Sequence, residues 1–106
     1  MFENFDFGKG VISKFINFNV NESLDYYEQQ FSYKQDMLQI TYDNNYVIDV
    51  GWYQDFDPNG FFKIVIIKDN DWWNPVLIEK CTNTKDLSVY MEKFTSYIQD
   101  LLCYNQ

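Results

Sequence analysis

The sequence predicts an α+β domain: an antiparallel four-strand meander, preceded by a helical N-terminal part and followed by a C-terminal helix packed on the sheet. Three observations carry that prediction. Between residues 37 and 80 apolar side chains alternate with polar ones at a period of two, as half-buried strands require. Clusters of Asp, Asn, Pro and Gly interrupt the run, and these are the residues that accept tight-turn dihedrals. After residue 83 the spacing changes to the threes and fours of an amphipathic helix.

The first twenty residues fit two patterns. Val11, Ile12, Phe15 and Ile16 would share a helix face, whereas Ile16, Phe18 and Val20 alternate with Asn17, Asn19 and Asn21 as a strand would. A helix is expected next, capped by Asn21 or Ser23, with Leu24, Tyr27 and Phe31 along one side. Leu38, Ile40 and Tyr42 then mark a first strand, and Asp43-Asn44-Asn45 a turn. Tyr46 to Tyr53 reads as the second strand, with Tyr46, Ile48, Val50 and Trp52 on one face. Asp57-Pro58-Asn59-Gly60 is a turn, and Phe61 to Lys68 is a third strand rich in β-branched residues. After Asp69-Asn70-Asp71, Pro75 to Lys80 fits an edge strand, because Pro cannot donate to a central ladder. The closing helix carries Leu87, Tyr90, Met91, Phe94, Ile98, Leu101 and Leu102 on one stripe, and Asn83 with Asp86 three residues on forms its capped start.

Composition narrows the chemistry. The 106 residues include 16 Asp or Glu and 8 Lys, a net charge of −8, with no His, Arg or Ala. A chain of this length is expected to form a single domain over residues 1–106, burying roughly two-thirds of its unfolded surface. The acidity argues against direct binding of nucleic acid, which requires cations to displace counterions from phosphates. Absence of His and Arg removes the commonest general base, the commonest metal ligand and the bidentate anion clamp. No catalytic residue, cofactor or metal site is therefore expected. The N-terminal residues carry Glu3 and Asp6 before the first Lys, unlike the basic and then apolar start of a secretory signal. The longest apolar stretch, Ile64 to Ile67, is too short to span a bilayer. Cys81 and Cys103 form no C-x-x-C motif, so free thiols and a cytoplasmic location are expected.

The acids concentrate in turns. Meander order places the first and third turns at one end of the sheet, so Asp43 gathers near Asp69, Asp71, Trp72 and Trp73, about 10 Å away at two strand spacings. Asp55 and Asp57 sit at the other end. Asp55-x-Asp57-x-Asn59-Gly60 matches the start of a calcium loop, but the twelfth position is Ile66 where a bidentate Glu is needed. Strands flank the motif rather than helices, and Pro58 with Gly60 suits a β-turn. Asp55 with Asp57, and Asp69 with Asp71, are also candidate acid–base pairs. In exposed turns such carboxylates lack the burial that raises a catalytic pKa.

Asp49, mid-strand between Ile48 and Val50, admits two readings. One is a cross-strand ion pair on a solvated face, with Lys63 and Glu79 at comparable depth. The other is a partner-binding face shared with Tyr53, Phe61 and Lys63. Neighbouring aromatics in extended chain face opposite sides, so at least one of Trp52 and Tyr53, and one of Trp72 and Trp73, should be partly exposed. Aromatics ringed by acids suit a protein partner, since Trp and Tyr dominate interface hot spots; equally, they could cover the back of a thin sheet.

The runs Tyr46 to Tyr53, Asp57 to Ile64 and Lys68 to Trp72, with the closing helix, resemble small bacterial immunity proteins, in particular those of contact-dependent growth inhibition systems. The resemblance covers residues 36–103 and implies a cytoplasmic inhibitor that binds a cognate toxin 1:1. Many such toxins are nucleases with basic surfaces, which an acidic protein can occupy where phosphates would lie. The expected partner-binding residues are Asp43, Asp49, Asp55, Asp57, Asp69 and Asp71, with Trp52, Tyr53, Trp72 and Trp73 as apolar anchors. Two alternatives share the size and charge: a phage-type acidic mimic of nucleic acid, such as an anti-CRISPR protein, and a small carboxylate-dependent hydrolase.

Overall fold

The computed structural model describes residues 2, 5–15, 37–53 and 57–104. They form one five-stranded antiparallel sheet with a single helix packed across it. The strands are β1 (Val11–Phe15), β2 (Leu38–Thr41), β3 (Tyr46–Tyr53), β4 (Phe61–Lys68) and β5 (Leu77–Cys81), followed by α1 (Thr84–Tyr104). Spatial order follows chain order. The meander is thus one strand longer than the four expected, because Val11–Phe15 pairs with β2. A helical N-terminal part is not shown: residues 11–15 are extended, and the helix expected from residue 21 lies outside the described residues.

The pleat decides what is buried. Registers Ile40↔Ile48, Ile48↔Ile66, Val50↔Ile64 and Trp52↔Phe62 line up the apolar side chains of β2, β3 and β4 on one face. Leu87, Met91, Phe94, Ile98 and Leu102 of α1 complete one core cluster with that face, each such side chain contributing roughly 1.5–3 kcal/mol on full burial. Tyr90 and Leu101 pack at its margin.

Local chemistry starts and stops these elements as the sequence leads one to expect. The Asp86 backbone N–H donates to Asn83 Oδ1 at 2.8 Å, satisfying one orphan donor of α1, and the Asn83 side-chain Nδ2 donates to Asp86 Oδ2 at 3.0 Å, holding the two side chains together. In the β3–β4 turn, Asn59 N donates to Asp57 Oδ1 and Gly60 N to Asp57 O, at 2.9 and 3.0 Å. A Cβ on Gly60 would strike Tyr53 O and the Trp52 indole, so only glycine fits there. Asn44, Asn45, Asp69 and Asn70 all have φ near +60°, where Asn and Asp are the side chains that cost least.

Residues near the N-terminus join the same core: Phe2 and Phe7 belong to the cluster and Phe5 packs against it. Phe2, Phe5 and Phe7 form a ring cluster with centroids 4.8 to 6.3 Å apart, and the Tyr42 hydroxyl donates to Phe7 O at 2.8 Å. Among the described residues, no helix is long and apolar enough to cross a membrane.

Candidate surface for a protein partner

The first and third turns meet. Tyr46 and Lys68 are register partners, so the Asp43–Asn45 turn entering β3 lies directly against the turn leaving β4. Asn45 Nδ2 donates to Asp69 Oδ1 at 3.2 Å, Asp69 N donates to Asn45 O at 3.0 Å, and Lys68 Nζ donates to Asn44 O at 2.6 Å. The two turns therefore touch, closer than the two strand spacings expected between them. Lys68 also lies 4.4 Å from the Tyr46 ring centroid and 4.0 Å from the Asp69 carboxylate. The cation is thus drawn down onto the turn backbone while Asp43, Asp69 and Asp71 remain exposed around it.

Among the described residues, the segment after this turn carries the most exposed aromatics. Asp71 N donates to Lys68 O, Asn74 N to Asp71 O and Asn74 Nδ2 to the Asp71 carboxylate. This folds residues 71–74 into a tight projection whose indoles find no room inside. Trp73 is 93% exposed and Trp72 47%. Val76 and Ile78, also exposed, continue the apolar strip from the loop onto β5. Sequence reasoning did not single out these two. The available signal was strand alternation: Leu77 turns toward the core cluster, which sends Ile78 to the other side.

Three other expected contact residues are placed differently. Trp52 is 2% exposed, stacked edge-on to Phe62 with centroids 4.9 Å apart, and its indole N–H donates to Asp57 O. It is a core residue, not an anchor for a partner. Asp49 is 3% exposed and accepts from Gln39 Nε2 at 2.7 Å, so it lies on neither a solvated face nor a presented one. Its supposed neighbour Glu79 is on the opposite face: it is in register with Ile64 and reaches Lys93 of α1 at 3.6 Å. Tyr53 is half-buried, stacked on Phe61 with centroids 6.1 Å apart, and Lys63 sits 4.7 Å from its ring centre. Asp57 is half-buried at the far end of the sheet with its carboxylate in the local turn. Asp55 lies outside the described residues.

A cleft of about 300 Å³ is lined by Lys9, Ser96, Gln99, Asp100, Leu102 and Cys103. It offers an exposed thiol with no imidazole to activate it. Among the described residues, no three His, Cys, Asp or Glu side chains cluster as metal ligands. Exposed turn carboxylates beside two exposed indoles form a surface suited to binding a macromolecule through an apolar centre and a charged rim. No family model, curated protein or solved structure matches this chain.

Proposed function

We propose that this chain is a non-enzymatic inhibitor, an immunity protein that binds and neutralises a cognate toxin of a contact-dependent growth inhibition system in the cytoplasm. The partner in this reading is a nuclease whose phosphate-binding surface is basic. The observation that carries it is the joined turn end. Asp43, Asp69 and Asp71 are exposed in the joined turns, and the segment that follows them carries Trp73, 93% exposed, and Trp72, Val76 and Ile78, also exposed; exposed apolar residues grouped beside charged ones mark interaction surfaces. Complementary charge would speed encounter and reject wrong partners, while the indole supplies the apolar contact that slows release.

The experiment is co-expression with the product of the adjacent gene. A stable 1:1 complex is expected, and Asp69→Asn with Asp71→Asn together should weaken inhibition of that product. Unchanged affinity in the double variant would move the interface to another surface.

A further inference from the structure

The apolar strip does not end at the loop; it runs onto the last strand of the sheet. β5 is terminal in the sheet order, so alternate N–H and C=O groups along its outer edge have no ladder partner among the described strands. The two sheet edges differ in a way that decides which one can accept a strand. β1 carries a register shift between Ile12 and Lys14, the kind of bulge that twists an edge away from further pairing. β5 pairs regularly from Phe62↔Cys81 to Ile66↔Leu77 with no shift.

The usual protection of an open edge, an outward charge, is also diverted on β5. Glu79 is turned to α1 and Lys93. Lys80 lies over the Phe61 ring, 5.1 Å from its centre. Bordering the edge from the turn onward are Trp73, Val76 and Ile78, the last 46% exposed, with the exposed Lys80 beyond them at the end away from the Asp69–Asp71 turn. A strand laid along β5 would run past these side chains and reach the Asp69–Asp71 turn. A second copy of this chain fits poorly, since each carries −8 and a symmetric pairing centred on Glu79 would set like charges side by side.

We infer that the partner is a basic protein that adds an extended segment to the outer edge of β5. Its apolar side chains cover Ile78, Val76 and Trp73, and Lys or Arg residues meet Asp69 and Asp71. Main-chain hydrogen bonds supply affinity, and the alternating side chains with the acidic turn supply selectivity. The inference rests on the partner-binding reading above and specifies its geometry.

The test uses the full chain with the adjacent gene product, by hydrogen–deuterium exchange and affinity measurement. Complex formation should slow exchange of the amides in residues 77–81. Ile78→Lys, a change at an exposed position, should weaken binding by about tenfold or more, whereas Ile12→Lys on the bulged edge should leave affinity unchanged. A complex that forms without protecting residues 77–81, or that ignores Ile78→Lys, overturns strand addition and leaves the inhibitor reading standing. Failure to form any complex removes both. Concentration-dependent protection of β5 in the isolated chain would make the occupant a second copy and overturn the basic-partner assignment.

Discussion

Asp49 sits on the face of β3 turned away from α1, where its register partner on β4, Val65, is also buried. Its carboxylate holds the Gln39 amide, so Asp49→Ala would strand a polar group and should cost about 1–3 kcal/mol in urea unfolding. Partner affinity of the folded fraction should hardly change. Thr95 presents a related case. Its buried Oγ1 lies beside the Tyr42 hydroxyl, which donates to Phe7 O and can accept from Thr95. Thr95→Val would remove that donor from a buried site and should lower stability by about 1 kcal/mol in urea unfolding. Burial, reinforced by Asp86 and Glu79, pushes the Cys81 thiol from its ordinary 9.0 up to about 11. Burial raises Tyr42, and the charge of Glu79 raises Tyr90. A raised folded pKa means the native state holds its proton more tightly than the unfolded chain does. The contribution is complete below the unfolded value and fades as pH rises through the folded one. Stability should accordingly decline between pH 9 and about 11, and at pH about 8 iodoacetamide should label exposed Cys103 well before buried Cys81.

At the scale of elements, the clearest local signals led to the right structures. The Asn83–Asp86 cap could be read from two residues at the right spacing, and it forms. Asn83→Ala should lower stability by about 1 kcal/mol, with Asn83→Ser restoring most of it, measured by thermal unfolding. β2 to β5 were legible because one face of each carries the core. β1 was not, since Val11, Ile12 and Ser13 are all exposed and burial imposes no alternation on them. The depth of Asp49 was missed for a different reason. Period-two reading assumes a solvated second face, yet the unbroken run Ile64-Val65-Ile66-Ile67 is buried at every position. A continuous apolar strand of that kind marks a sheet covered on both sides, and that signal placed Asp49 indoors along with Val65. The turn end was legible in its membership but not in its closeness, because contact depends on the Tyr46↔Lys68 register.

Charge acts at the scale of the whole molecule. A net charge of −8 creates a field that reaches beyond any single contact, but only over a Debye length of about 10 Å at 0.1 M salt. If a basic partner is steered by that field, association should slow by about tenfold or more as salt rises from low to near-physiological strength, while dissociation changes little. Position matters as well as total charge. Asp69→Asn removes charge from the end where the indoles project, whereas Asp57→Asn removes charge from the far end of the sheet. Stopped-flow association at several salt concentrations should show a shallower slope for Asp69→Asn alone than for Asp57→Asn, each of which removes one charge. Equal flattening would mean that net charge alone guides encounter, and a stronger effect from Asp57 would place the docking end at the β3–β4 turn.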